Sequence, residues 1–491
     1  MKDEKLKNLS INKKAALFTG ADYWNTARID EALLPSVRFS DGPTGVRAQN
    51  GKGDNLGRNS SLPATCFPTH SALACSWNKS LLSETGARIG KEAAHFGVDV
   101  ILAPDLNIKR NPLCGRNFEY FSEDPYLNGK LGAAYASGVA SSGTGACLKH
   151  FAANNREFGR MVCDSVVDGR TLREIYLTAF EIAVKESKPS AVMTAYNLLN
   201  GSYCNENKFL LDILRGEWGF DGVVVSDWGG THDRVAALCA GADIEMPRCA
   251  FSENEIKSAA KCGDINENID ACMERIANFA RREKAETNCD FDENARFAKT
   301  CADECAVLLK NEGALPLICE EKVALVGRFA KEPLIQGGGS SKVNPKATVS
   351  LYDCLKSKIC GFATGYKKSG KSSARLSRRA LKLCKNAEKV VFCFGLDGGD
   401  CEGADRRNLN LPENQISLFK KICAVNKSVV AVIFGGSVVD VSWDETACAV
   451  LFAGLAGQAS ARAVADILYG KVNPSGKLAE TYPVNISCVP S

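Results

Sequence analysis

Histidine is scarce in this chain, with four among 491 residues, and no Cys-x-x-Cys pair occurs. The ligand sets that build structural zinc sites are therefore missing. Cys301 and Cys305 are separated by three residues, and no matching pair or histidine cluster follows. The opening Met1-Lys2-Asp3-Glu4-Lys5-Leu6-Lys7 lacks the apolar core of a secretory signal. No run is long and apolar enough to span a membrane. The 22 cysteines accordingly read as free thiols, many of them inside apolar runs such as Val391-Phe392-Cys393-Phe394, where they behave as small hydrophobes. A reducing, cytoplasmic location is the expectation. The net charge is only +4 and no dense basic stripe stands out, so nucleic acid is not implied. Lys367-Lys368 and Arg378-Arg379 read as solvated surface. Internal repeats and long low-complexity segments are missing too.

What is present is an ordinary globular composition, 45% hydrophobic and 24% charged, in a chain long enough for two or three domains. The amino-terminal half repeats one event six times: a short apolar run ends in polar residues. Val37-Arg38-Phe39-Ser40 leads to Asp41-Gly42-Pro43, and Val98 to Ala103 leads to Pro104-Asp105. Ala146-Cys147-Leu148 leads to Lys149-His150, and Ala191 to Ala195 leads to Tyr196-Asn197. Gly222-Val223-Val224-Val225 leads to Ser226-Asp227-Trp228-Gly229-Gly230, and Ala242-Asp243-Ile244 leads to Glu245. Helical stretches lie between, at 81–95, 171–185 and 209–218. Alternating strands and helices predict a parallel sheet, and polar residues at strand carboxyl ends predict a barrel whose active face lies there.

A carboxylate closing the valine strand is costly without a task or a partner. Beside an indole and two glycines, Asp227 suits work on a sugar ring; alone, it reads equally as the cap of a following helix. After a charged stretch at 281–294, a helix over 295–310 leads to a second α/β unit. Its strands are predicted at 322–327, 389–395, 428–435 and 447–453, with helices at 374–386 and 460–468. The loop Leu396-Asp397-Gly398-Gly399-Asp400-Cys401-Glu402-Gly403-Ala404-Asp405-Arg406-Arg407 crowds four carboxylates into a glycine-rich turn. It reads as a solvated turn or as an acid presented to the neighbouring domain. Retaining glycoside hydrolysis needs two carboxylates, a nucleophile and a proton donor.

Taken together, these segments resemble glycoside hydrolase family 3. The resemblance is carried by Asp41-Gly42-Pro43-Thr44-Gly45-Val46-Arg47, Gly115-Arg116-Asn117-Phe118-Glu119 with Glu123-Asp124-Pro125, and Lys149-His150-Phe151-Ala152-Ala153-Asn154-Asn155. It continues in Ser226-Asp227-Trp228, Glu402-Gly403-Ala404-Asp405-Arg406 with Leu409-Asn410-Leu411-Pro412, and Asn473-Pro474-Ser475-Gly476-Lys477-Leu478 with Thr481-Tyr482-Pro483. It runs from about Leu17 to Pro483 and is greatest to the bacterial β-glucosidase branch. The resemblance implies Asp227 as nucleophile and Glu402 as acid/base reaching over from the second domain. It implies Asp41, Arg116, Lys149 and His150 as holders of the sugar hydroxyls, Arg47 as their support, Met193 and Tyr196 as lining, and Trp228 packed near the ring. Asp227 is expected exposed and near its ordinary pKa, with Lys149 beside it; Glu402 is expected to have a raised pKa. Each role has a plainer counterpart. His150 reads also as a core histidine, Arg116 as an ion-pair partner of Glu119 or Glu123, and Tyr196 as barrel packing, while Asp400 and Asp405 compete for the role of Glu402. Gly337-Gly338-Gly339-Ser340-Ser341 reads as a loop on the leaving-group side or as a turn.

Asp164-Ser165-Val166 departs from the Asp-Ser-His donor of the N-acetylglucosaminidase branch, and Glu402 stands where phosphorolytic members would carry histidine. Gln458 is followed by Ala459 where Glu-Gly-Gly is expected. The branch often has a third, fibronectin-like domain, and this chain stops soon after Pro483. A rival reading comes from Gly365-Tyr366-Lys367-Lys368-Ser369-Gly370-Lys371-Ser372, which fits the phosphate-loop pattern of nucleotide-binding ATPases. The charged, glycine-interrupted 356–364 before it argues against the buried strand such a loop needs.

The expectation is therefore an α/β chain: a TIM-like (β/α)8 barrel over 1–285 carrying nucleophile and sugar pocket, a linker and helix over 286–316, and an α/β sandwich over 317–491 carrying the acid/base. The expected activity is that of a retaining, exo-acting β-glucosidase, with β-xylosidase or another β-glycosidase as the alternative. It needs no metal or organic cofactor. Its partner is a small carbohydrate, not nucleic acid or membrane, with monomer and homo-oligomer both open.

Overall fold

A computed structural model describes residues 3–51, 53–54, 56–283, 288–396 and 398–489. The expected boundary at 285 and Asp397 lie outside them. Two sheets organise the chain. The first is parallel throughout: β1 (Phe39–Asp41), β2 (Val100–Leu102), β3 (Gly145–Phe151), β4 (Ala191–Thr194) and β5 (Val223–Ser226), side by side in that order. Its strands are apolar on both faces because both are covered. Val223 and Val225 join Met193, Leu102 and Phe39 in one buried cluster, while Val224 joins Val192, Ile101 and Leu148 in another. Each such side chain contributes about 1.5–3 kcal/mol by leaving water.

This half-barrel becomes a ring through short bridges, not through further full strands among the described residues. Val225 pairs with Ile244, Glu245 with Thr19, Gly20 with Thr26, and Asn25 with Arg38, the residue before β1. Helices α1 (Lys79–His95), α2 (Pro125–Ser141) and α3 (Thr178–Ser187) cover the outside. α1 and α2 pack closely because Gly86 and Gly138 face the partner backbone; a Cβ on Gly138 would lie 1.9 Å from Ser83 O. The helix expected at 295–310 ends at Cys305 as α4 (Phe291–Cys305), and Val307–Asn311 is strand β6. Its β-branched and leucine-rich end pairs antiparallel with a strand of the second sheet.

That second sheet runs β6, β11 (Ala449–Phe452), β10 (Val429–Phe434), β9 (Lys389–Gly395), β7 (Val323–Val326) and β8 (Ile359–Ala363). All but β6 are parallel. The loop carrying Glu402 leaves the carboxyl end of β9 in the middle of this sheet. Two residues, Asn344–Pro345, pair with Pro63–Ala64 of the barrel half and stitch the sheets' loops together. No helix among the described residues is long and apolar enough to cross a membrane.

Candidate active site

The carboxyl ends of the barrel strands bring charges together out of water. At the end of β1, Asp41 Oδ2 lies 3.4 Å from Arg47, which reaches Asp54 at 2.8 Å, and Asp41 Oδ1 lies 3.9 Å from Lys149 Nζ at the end of β3. Burial pushes the Asp41 carboxyl up to about 6, against the pull of Lys149 and Arg47. Asp105, just past β2, is wholly buried and neither carboxyl oxygen has a hydrogen-bond partner. It faces Lys149 at 3.9 Å, Arg116 at 3.7 Å and His150 Nδ1 at 3.4 Å. Arg116 pairs with Glu119, at 2.5 Å and 3.0 Å, not with Glu123. It also sits 3.3 Å from His150 Nε2. Burial, then Arg116 and Lys149, holds the His150 pKa well below normal, so the ring is neutral at pH 7.

Asp227 follows β5 directly. Its Oδ1 accepts the Trp228 N–H at 2.8 Å, and Oδ2 faces His150 Nε2 at 3.6 Å without a hydrogen bond of normal length. Two expectations are corrected here. The side chain is only 10% exposed, and burial raises its pKa, with Arg160 and Arg116 opposing. Lys149 pairs with Asp41 and Asp105 instead of standing beside Asp227.

Glu402 enters the same space from the second sheet. Its side chain is 4% exposed; Oε1 meets Arg160 Nη2 at 2.8 Å and Arg116 Nη1 at 4.0 Å, and Oε2 accepts the Ser340 N–H at 2.8 Å. Burial would raise its pKa, but Arg116, Arg160 and the Ser340 N–H outweigh it and hold it low. The raised pKa expected for this carboxyl is therefore corrected. Asp400 and Asp405 are occupied elsewhere. Asp400 is buried, accepting from the Gly436 N–H at 2.8 Å and the Ser437 hydroxyl. Asp405 crosses to the barrel half and accepts N–H groups of Gly115, Glu157 and Phe158. The Gly337–Ser341 loop backs Glu402: a Cβ on Gly339, whose φ is +104°, would lie 2.4 Å from Glu402 Cβ.

The remaining residues line or support this space. Met193 points from β4 into the cluster that holds Val225 and Trp228. The Tyr196 hydroxyl donates to Trp228 O at 3.0 Å, and Asp227 acts on its ionisation. Trp228 packs against Trp24 with the rings tilted by 46° and their centroids 5.2 Å apart, and its Nε1–H donates to Tyr23 O. The sequence assigns no role to three members, Asp105 as a buried partner, Glu157 and Arg160, and it leaves Ser340 within a loop of two readings. Arg160 lies over the Tyr196 ring at 4.9 Å and pairs with both Glu157 and Glu402. Its one signal was the charged run Arg156-Glu157-Phe158-Gly159-Arg160 after Asn155, which has no periodicity to place it.

The phosphate-loop pattern at Gly365–Ser372 does follow a strand, β8, and precede helix α5 (Ala374–Lys385). Its interior is taken by the buried Tyr366 ring, whose hydroxyl donates to Cys393 O, while Asn414 Nδ2 donates to Lys367 O. Among the described residues no group of His, Cys, Asp and Glu could hold a metal ion.

The space between the sheets thus brings together Asp227 and Glu402 from opposite sides, Asp41 and the wholly buried Asp105, and the cations Arg47, Arg116, Lys149 and Arg160 around them. Residues 4–279 match the family model "Glycosyl hydrolase family 3 N terminal domain", and residues 306–491 match "Glycosyl hydrolase family 3 C-terminal domain". The chain is 45% identical to thermostable beta-glucosidase B of Acetivibrio thermocellus, over 99% of its own length and 66% of the relative's. It is 39% identical to an exo-alpha-(1->6)-L-arabinopyranosidase of Bifidobacterium longum, over 99% and 67%. Its structure is similar to that of a GH3 beta-glucosidase from Bifidobacterium adolescentis, with TM-score 0.92 and 40% identity, covering 99% of this chain and 72% of that one. The chain spans about two thirds of the length of these curated relatives.

Proposed function

The chain belongs to glycosyl hydrolase family 3, and from that premise we propose that it is a retaining, exo-acting β-glycosidase that removes a terminal non-reducing β-D-glucose. The observation that carries the reading is the meeting of Asp227 from the barrel with Glu402 from the second sheet in one buried, cation-ringed space. In the first half-reaction an Asp227 oxygen attacks C1. The bond from C1 to the leaving oxygen breaks, and the Glu402 proton passes to that oxygen. In the second half, Glu402 takes a proton from water, whose oxygen attacks C1 and releases Asp227. The low proton affinity that Arg116, Arg160 and the Ser340 N–H give Glu402 against burial suits this second half, in which it accepts a proton. Asp41, Lys149, Arg116 and His150 hold the sugar hydroxyls, Arg47 keeps Asp41 ionised and in place, and Met193, Tyr196 and Trp228 shape the floor.

Glucose is the proposed sugar because the two glucosidases named above are 45% and 40% identical to this chain. The arabinopyranosidase relative supports a second reading, in which the pocket accepts a pentopyranoside. Incubation with 2,4-dinitrophenyl 2-deoxy-2-fluoro-β-glucoside, then peptide mass spectrometry, tests the mechanism. A single fluoroglucosyl label on the Asp227 peptide is expected. A label on another carboxylate would reassign the nucleophile, and labelling only by the corresponding xyloside or arabinopyranoside would reassign the sugar.

A further inference from the structure

Glu157 has no place in the mechanism above, yet it is almost fully buried where the two halves of the site touch. One carboxylate oxygen, Oε2, does two things: it accepts the Gly403 N–H at 2.7 Å and pairs with Arg160 Nη1 at 2.9 Å. Arg160 uses its other nitrogen, Nη2, for Glu402. The guanidinium is thus shared between two carboxylates, and the residue bound to its competitor is the immediate neighbour of Glu402 in the chain. The return contact is Asp405, whose carboxylate accepts the Glu157 and Phe158 N–H groups. Two carboxylates therefore cross the interface in opposite directions, each taking an amide from the other's loop. The fit leaves no slack: a Cβ on Gly115 beside this clamp would lie 1.8 Å from Ala404 O.

We propose that Glu157 is a positioning residue for the acid/base: it divides Arg160 between itself and Glu402 and holds the loop that delivers Glu402 to the barrel. The inference rests on Glu402 being the acid/base. Every charge facing Glu402 bears on the outcome. Arg116 and Arg160 favour its anion; Asp227, Asp41 and Glu157 disfavour it; Tyr196 and Cys401, both neutral at pH 7, complete the shell. Burial, opposed by Arg116 and Arg160, raises the Glu157 carboxyl to about 7, so near pH 7 it carries part of a charge; replacing it by Gln removes that opposing charge and surrenders Arg160 wholly to Glu402. Glu402 then protonates less readily, and acid assistance weakens while the nucleophile is untouched.

Leaving groups report this directly. Dinitrophenolate departs without a proton, whereas a phenyl or alkyl glycoside needs one, and general-acid help is worth about 10²–10⁴-fold. For Glu157→Gln, kcat/KM on phenyl β-glucoside is expected to fall at least about tenfold more than on 2,4-dinitrophenyl β-glucoside. The limb that Glu402 sets in the pH profile on phenyl β-glucoside should move to lower pH. Equal losses on both substrates with an unmoved limb would reduce Glu157 to a structural part and overturn the proposal. Carbon-13 NMR titration of labelled Glu402 decides the point without turnover: a lower midpoint in Glu157→Gln supports it, and an unchanged midpoint overturns it. A wild-type protein inert on both glycosides would instead sink the glycosidase reading, leaving the titration to judge the clamp. If Glu157→Gln fails to fold, Glu157→Asp keeps the charge but shortens the reach to Gly403. It should spare the limb and lower kcat on both substrates; a limb that moves with the charge kept would contradict the division of Arg160.

Discussion

At the scale of single residues, the site is a set of carboxylates whose proton affinities are pushed apart by what surrounds them. Asp41 and Asp227 are raised by burial, Asp41 to about 6. A raised carboxyl regains its proton at higher pH than a free one, so the function of both is lost as pH falls. On 2,4-dinitrophenyl β-glucoside, whose leaving group needs no proton from Glu402, the acid limb of kcat/KM should lie above the ordinary carboxylate range of about 4, with activity declining as pH drops through about 6. A profile that stays flat down to pH 4.5 would contradict these environments. Gly339 makes the opposite demand, for space. An added Cβ meets Glu402 Cβ at 2.4 Å, and the backbone there, at φ +104°, disfavours any side chain. Gly339→Ala should lower kcat about 10²-fold while circular dichroism and the melting midpoint stay near wild type. The chemistry-bearing types were legible in the sequence because each closes an apolar run: Asp41, Lys149-His150 and Asp227 all do. Arg160 and Glu157 were not, because they sit in an irregular loop whose position is decided by contacts over 240 residues away.

Elements explain how those residues are held. β5 reads plainly as a strand, and its start is fixed by a carboxylate the sequence gives no reason to notice. Asp243 accepts the Val224 N–H at 2.8 Å and pairs with Arg215 at 2.7 Å and Arg275 at 2.8 Å, with no exposure of its own. Asp243→Ala leaves both arginines facing a void and should cost about 3 kcal/mol of stability, read as a lower melting or denaturant midpoint. A change below the measurement error would show the three-way pair to be dispensable. By sequence β6 reads as the end of a helix because Val307-Leu308-Leu309-Lys310 continues the apolar spacing of α4; pairing with β11 overrides that local pattern. The charged, glycine-interrupted 356–364 does not read as a buried strand, and it suits what β8 is, an edge strand with one neighbour. Ile244 was counted as a full strand and contributes a single bridge, since Asp243 and Glu245 turn to side-chain and closing duties.

At the scale of the whole molecule, the proposed reaction needs both halves: the barrel carries the proposed nucleophile and hydroxyl-binding charges, and the second sheet carries the proposed acid/base. The contact that joins them at the site is narrow. Gly115→Ala places a Cβ 1.8 Å from Ala404 O and must part the Glu402 loop from the barrel. It should reduce turnover far more than it reduces the melting midpoint, and equal losses in both would count against a local effect. The two-sheet plan was readable from alternating strands and helices, but how the loops interlock was not, because Gly115, Glu157 and Asp405 are distant in the chain and share no pattern. The most direct test is release of p-nitrophenol from p-nitrophenyl β-glucoside by the wild type, Asp227→Ala and Glu402→Ala, each with and without azide. The account predicts wild-type turnover, none with Asp227→Ala without azide, and azide rescue of Glu402→Ala giving β-glucosyl azide. Undiminished turnover by Asp227→Ala, or rescue of Glu402→Ala that yields the α-azide, would contradict it.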